Sequence, residues 1–122
     1  MTSVRPSESV ILVLSDQVLE ATDLADYVAS KGLGRVVYER HTEDALLVAK
    51  TSLDKISLAF VGLSRSPDVD QLINLLAERD IRVVVLDGKK GHARLPSRVV
   101  SMTRPFSDAD LDKVVCRCNP KV

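Results

Sequence analysis

Residues 56–61 read Ile56-Ser57-Leu58-Ala59-Phe60-Val61, a mostly apolar run that ends at Gly62. A short apolar run of this kind is typical of a strand buried on both faces of a parallel sheet. A proline at position 67 then begins a segment whose apolar residues recur at helical spacing: Val69, Leu72, Ile73, Leu75 and Leu76. We therefore predict a buried strand followed by an amphipathic helix, which is the repeating unit of an α/β fold.

The same alternation continues along most of the chain. Four further strands are predicted at residues 10–14, 35–39, 81–86 and 99–102. Strands that alternate with helices favour a parallel, doubly wound sheet covered on both faces, with right-handed crossovers. We predict one domain over residues 10–118, preceded by a flexible leader at 1–9 and followed by a tail at 119–122.

Helices are predicted between most of the strands. The first has a buried stripe that begins at Val18 and ends before Gly32, and the second has Thr42 as its N-cap. The last is opened by a capping box formed by Ser107 and Asp110. Residues 88–96 hold two glycines and a proline without an apolar face, so a loop is predicted there instead of a helix.

Composition excludes several classes of function. The chain has 122 residues, 45% of them hydrophobic, with 17 Lys plus Arg and 17 Asp plus Glu. This charge balance favours neither nucleic acid nor a membrane surface as a partner, and the sequence contains no apolar stretch of membrane-spanning length. A cytoplasmic location is expected. The two cysteines, Cys116 and Cys118, are too close in sequence for a disulfide that would cross-link distant parts of the fold. They also lack a second pair of zinc ligands.

The residues that directly follow the predicted strands lie where a doubly wound sheet places its functional crevice. That crevice lies beyond the carboxyl ends of the strands, where the strand order reverses. The residues expected there are Ser15, Asp16, Gly62, Leu63, Asp87 and Arg104. The crevice is therefore the candidate functional site.

Several of these segments resemble the receiver domain of two-component response regulators, which is CheY-like. Residues 10–16 resemble the receiver's first strand with its acidic pair, and Ala45-Leu46 matches an Ala-Leu of its second helix. Pro67-Asp68-Val69-Asp70 resembles the Pro-Gly-Met-Asp turn, and Arg104-Pro105-Phe106 resembles the Lys-Pro-Phe after the fifth strand. The resemblance covers residues 10–118 and implies a flavodoxin-like, five-stranded sheet of order 2-1-3-4-5.

A narrower resemblance is to single-domain receivers that carry a Phe-Ala-Thr-Gly-Tyr signature and have no helix between the fourth and fifth strands. Here the corresponding residues are Val85-Leu86-Asp87-Gly88-Lys89, with Leu95-Pro96 downstream. The loop predicted at residues 88–96 agrees with this group, whereas the signature has diverged.

The resemblance also assigns the positions of a receiver's phosphorylation site. Ser15 and Asp16 occupy the acidic pair, and the phosphoacceptor position falls on Gly62, or on Leu63 in the alternative alignment. Asp87 occupies the position of the hydroxyl that holds a phosphoryl oxygen, and Arg104 that of the lysine. A glycine and a leucine have no nucleophilic oxygen, so the site is expected to be degenerate, with no catalytic residue and no metal. We also expect an ion pair between Asp87 and Arg104.

The resemblance thus implies a non-phosphorylatable pseudo-receiver that acts as a protein–protein interaction module in bacterial two-component signalling. The expected partner is a histidine kinase, another regulator or an output protein, and a homodimer is compatible with the sequence. Neither enzymatic activity nor a cofactor is expected. The alternative is a small-ligand or nucleotide-binding flavodoxin-like domain, or an enzyme, that uses the same crevice; the sequence has no glycine-rich phosphate loop to favour it.

Overall fold

The computed structural model describes residues 9–63, 66–87, 99–103 and 106–118. Nine helices and strands lie within these ranges, in the order β1 (Val10–Leu14), α1 (Val18–Lys31), β2 (Arg35–Glu39), α2 (Thr42–Thr51), β3 (Ile56–Val61), α3 (Pro67–Glu78), β4 (Arg82–Asp87), β5 (Val99–Thr103) and α4 (Asp108–Cys118). The predicted leader, tail and loop at 88–96 fall almost wholly outside the described ranges. They stay predictions.

All five strands form one parallel sheet in the order β2-β1-β3-β4-β5. The predicted doubly wound, flavodoxin-like architecture is therefore confirmed. The strand predicted at residues 81–86 is observed one residue later, at Arg82–Asp87. Ile81 is buried, as its apolar character predicts, but the pairing of β4 with β3 begins only at Arg82. Asp87 instead continues β4 and is the register partner of Thr103 in β5.

The core has two layers, one on each face of the sheet. On one face, β1 and β3 pack against α2 and α3 through residues that include Leu14, Ala45 and Leu72. On the other face, Phe60 and its neighbours pack against α1 and α4. Strands covered on both faces explain the continuous apolar runs in the sequence.

The helix starts agree with the sequence in two cases and differ in one. Ser66 caps α3 by accepting a hydrogen bond from the Val69 N–H at 3.2 Å. At α4, the Ser107 N–H donates to Asp110 Oδ2 at 3.0 Å and the Asp110 N–H donates to Ser107 Oγ at 3.3 Å, which confirms the predicted capping box. The N-cap of α2 is His41, so the prediction of Thr42 is wrong by one residue.

The buried stripe of α1 differs from the predicted one at its beginning. Val18 is 55% exposed, whereas Glu20 in the same turn is only 8% exposed. Further along, Ala21, Leu24 and Val28 are buried as predicted. In the first turn of α1, the Glu20 carboxylate therefore faces the interior and the apolar Val18 side chain faces solvent.

A polar contact joins α1 to α4 at the margin of the core, between the buried Tyr27 and the exposed Asp112. The Tyr27 hydroxyl donates a hydrogen bond to Asp112 Oδ1 at 2.6 Å, and Lys31 Nζ lies 3.4 Å from the same oxygen. The Tyr27 hydrogen bond first, and the Lys31 ammonium second, hold the pKa of the Asp112 carboxyl below its usual value. A lowered pKa means that this contact stabilises the folded state above the pKa of the unfolded chain. The contribution is lost as the pH falls through the folded-state pKa.

We expect Tyr27→Phe to raise the pKa of Asp112 towards its usual value, because the variant removes the hydroxyl donor. Carbon-detected NMR titration of the Asp112 carboxyl measures this shift. Tyr38→Phe is the matched control, since the Tyr38 hydroxyl makes no hydrogen bond to the described residues. An Asp112 pKa that is the same in Tyr27→Phe and in the unmodified protein would show that the hydrogen bond has no such effect.

Candidate functional site

The two central strands bring Ser15 and Gly62 side by side at the carboxyl edge of the sheet. Leu14 at the end of β1 is the register partner of Val61 at the end of β3, so the next residue of each strand lies at the same level. The Gly62 N–H donates to the Leu14 carbonyl oxygen at 2.6 Å, and both Ser15 and Gly62 are buried. These two positions form the centre of the predicted crevice.

The Ser15 side chain is committed to hydrogen bonds at the entry of α1. Its Oγ accepts from the Gln17 N–H at 3.0 Å and donates to Glu20 Oε1 at 2.8 Å. Gln17 is the N-cap of α1, and Glu20 is the third residue of the helix. The Ser15 hydroxyl thus bridges the N–H of the N-cap residue Gln17 and the carboxylate of Glu20. In a capping box, the carboxylate at the third helical position bonds to the N-cap N–H directly.

Glu20 is the crevice residue that the sequence analysis missed. Its negative charge is favoured at the N-terminus of α1, where the helix dipole is positive. A glutamate at the third helical position is a recognisable capping signal, but it is usually paired with Ser or Thr at the N-cap and here that residue is Gln17. Without Ser or Thr at the N-cap, the sequence of the first turn does not indicate that Glu20 is buried.

The remaining predicted site residues are not assembled with this pair by the described structure. Asp16 is exposed to solvent beside the buried Ser15. The backbone of Asp87 ends β4, but its side chain lies outside the described part of the structure, as does the whole of Arg104. The ion pair expected between Asp87 and Arg104 therefore stays a prediction.

Among the described residues of this edge, the two central positions offer no exposed nucleophilic oxygen. A phosphoryl acceptor needs a nucleophilic oxygen that faces solvent, whereas Gly62 has no side chain and Ser15 is 0% exposed. Within the described ranges, no group of three or more His, Cys, Asp or Glu side chains is placed to hold a metal ion. No helix in the same ranges is long and apolar enough to cross a membrane.

Solved structures with the same arrangement of strands and helices identify the fold. A response regulator receiver protein from Sinorhizobium medicae superposes with a TM-score of 0.73 and 19% sequence identity, over 90% of this chain and 93% of that one. This is the fold of a response regulator receiver domain. No family model matches the sequence, and no curated protein matches it.

Other proteins with the receiver fold have different contexts. The CheY of Borrelia burgdorferi, solved with CheX, beryllofluoride and magnesium, has a TM-score of 0.70 and 17% identity, over 89% of this chain and 87% of that one. A candidate pilus assembly protein (cpaE) from Burkholderia thailandensis has a TM-score of 0.73 and 16% identity, over 93% of this chain and 99% of that one. At these identities the similarity establishes the receiver fold and no more.

Proposed function

We propose that this chain is a pseudo-receiver that accepts no phosphoryl group and acts as a protein–protein interaction module in bacterial two-component signalling. The observation that carries the proposal is the pair of central crevice positions. Where the resemblance places a receiver's first acid and its phosphoacceptor, this chain has Ser15, hydrogen-bonded to Glu20, and Gly62. The receiver fold supports the signalling role by analogy.

The chemistry of an aspartyl phosphate supports the same conclusion. The acceptor carboxylate is the nucleophile, and it shares a magnesium ion with the acidic pair. At these positions Asp16 alone keeps a carboxylate, and it is exposed. A single exposed carboxylate binds magnesium weakly, because the ion keeps most of its water ligands.

A domain without the phosphoryl input acts through its surface, so we propose a protein partner in the cytoplasm: a histidine kinase, another regulator or an output protein. A second copy of the chain is a further candidate. The function proposed here is non-enzymatic and requires no cofactor. The Ser15 hydroxyl is buried and bonded at the entry of α1, which suits a structural role better than attack on a substrate.

Two other functions have less support. A small-ligand domain or enzyme that uses the crevice needs a cavity there. The described residues form one cavity at the amino-terminal edge of the sheet and another between α1 and α4, and neither is lined by Ser15, Asp16 or Gly62. A role in pilus assembly is suggested by the Burkholderia thailandensis protein, whose receiver-like fold covers nearly the same length. That role also fits an interaction module without phosphoryl transfer.

The proposal predicts that the protein gains no phosphoryl group from acetyl phosphate and magnesium, because Gly62 offers no attacking oxygen. Intact-mass spectrometry measures the adduct. Beryllofluoride with magnesium, which mimics the phosphorylated aspartate, is expected to leave the backbone amide shifts around Gly62 unchanged.

The CheY of Borrelia burgdorferi is the positive control, because its structure contains beryllofluoride and magnesium. Under conditions that modify this control, a stable adduct of one phosphoryl group on the present chain would contradict the proposal. Saturable amide shifts at the carboxyl edge on addition of beryllofluoride would contradict it too.

A further inference from the structure

A cavity of about 200 Å³ opens at the amino-terminal edge of the sheet, opposite the crevice. Its wall is part apolar and part polar, and the residues that line it are Ser9, Ile11, Leu33, Ser57, Leu58, Arg82 and Val115. They come from the starts of three strands, from the turn after α1 and from α4. Since β1 has five residues, the cavity lies roughly 16 Å from the carboxyl edge.

Arg82 gives this cavity its chemical character. It is the first residue of β4, and alternation along the strand places it on the same face as Val84 and Leu86, which pack beneath α1 and α4. Its Nε atom is buried and has no hydrogen-bond partner among the described residues. A buried donor without a partner is costly, and a ligand relieves that cost when a rotation of the Arg82 guanidinium brings the donor to the cavity that this residue lines.

A local irregularity in β3, the strand next to β4, shapes the adjoining part of the wall. The register of β1 and β3 steps from Val10 with Ile56 to Ile11 with Leu58, so Ser57 is an extra, bulged residue. Bulges re-aim side chains and are frequent beside functional sites. Here the bulge places Ser57 at the cavity wall while Leu58 stays in the core beside Ile11.

We propose that this cavity binds a small carboxylate with a short, branched apolar tail. Arg82 lines the cavity, and its guanidinium carries N–H donors in the planar fork that matches two carboxylate oxygens. Ile11, Leu33, Leu58 and Val115 provide the apolar contact for the tail. A cavity of 150 Å³ holds benzene, so about 200 Å³ accommodates roughly eight non-hydrogen atoms. Isovalerate, with a carboxylate and a branched tail, is a probe of suitable size.

The site is independent of the proposed signalling function and of the crevice at the opposite edge. Inorganic phosphate fits it less well, because one guanidinium and apolar walls leave phosphate oxygens without partners. Ligand binding here does not depend on whether Gly62 accepts a phosphoryl group, so the two proposals fail separately.

Titration of the isotope-labelled protein with isovalerate, followed by NMR, tests the proposal. We expect saturable shifts of the Ile11, Leu58 and Arg82 amides. Isovaleramide, which has the same shape without the charge, is expected to bind about tenfold more weakly or worse, because a hydrogen bond to a charged group is lost. Inorganic phosphate is expected to bind more weakly than isovalerate.

Arg82→Gln is expected to weaken isovalerate binding at least about tenfold. Arg79→Gln is the matched control, because Arg79 is exposed after α3 and does not line the cavity. Arg82→Lys keeps the positive charge but loses the planar pair of N–H donors, so it is also expected to weaken isovalerate binding. This variant replaces Arg82→Gln in the test if Arg82→Gln does not fold. Unsaturable shifts, equal affinity for isovaleramide, or equal losses in Arg79→Gln and the Arg82 variants would overturn the proposal.

Discussion

Ser15→Asp, which places an acid at the end of β1, is expected to lower the free energy of unfolding by about 3 kcal/mol at neutral pH. In the present structure Ser15 donates a hydrogen bond to Glu20 Oε1, and both residues are buried. An aspartate at this position has no proton to donate and places a second carboxylate against the first. Two carboxylates that share a buried site cannot both ionise without a large cost.

The loss of stability in Ser15→Asp should depend on pH. One carboxyl of the pair will have its pKa raised in the folded state, so the folded variant binds more protons than the unfolded chain. The penalty is therefore fully present above that raised pKa and shrinks as the pH falls through it. Urea denaturation of the variant and the unmodified protein from about pH 5 to about pH 8 measures the difference.

Two variants separate the charge effect from a simple change of size. Ser15→Asn is similar in volume to aspartate, is neutral and can still donate to Glu20, so its loss should be smaller and insensitive to pH. Combining Ser15→Asp with Glu20→Gln should recover most of the stability, because one carboxylate is removed. If Ser15→Asp and Ser15→Asn behave alike at every pH, the two carboxylates do not meet.

Leu24→Ala is expected to lower the free energy of unfolding by about 3 to 5 kcal/mol, since Leu24 is 0% exposed and its truncation leaves a cavity in the core. Leu19→Ala is the matched control on the same helix. Leu19 is 81% exposed, and leucine and alanine have similar helix propensities, so the change should be under about 0.5 kcal/mol.

Chemical denaturation of both α1 variants gives the comparison directly. A loss for Leu19→Ala as large as that for Leu24→Ala would mean that the first turn of α1 is covered in solution, for example by a second copy of the chain. Stability measured at several protein concentrations distinguishes that case, because a dimer becomes more stable as its concentration rises.

The sequence predicted the sheet well because the strands are buried on both faces and so read as uninterrupted apolar runs. The capping box at Ser107 and Asp110 was also predictable, since it is a local motif in which both partners belong to the first turn. The site was less predictable. Residue types at Ser15 and Gly62 led to the hypothesis of a degenerate site, which stays a prediction, but the position of Glu20 depends on a contact across the β1–α1 turn.

The error at Val18 has a related cause. Apolar spacing assigns Val18 to the buried stripe of α1, but it is the first helical residue and 55% exposed. Periodicity also gives no reason to bury a glutamate, because an isolated buried charge is unfavourable. Glu20 is buried because the Ser15 hydroxyl supplies a hydrogen bond to it, and that partner is visible only in three dimensions.

The bond between Ser15 and Glu20 also bears on how this chain can evolve. Gly62→Asp alone adds an acceptor with only one acid of the pair, the exposed Asp16, to share magnesium. Ser15→Asp alone places the other acid of the pair against Glu20 and costs stability, and natural proteins have little stability to spare. Under the proposed function, a path of single substitutions to phosphoryl transfer passes through variants that are expected to be less stable or no more active. The buried hydrogen bond therefore makes each first step on that path unfavourable.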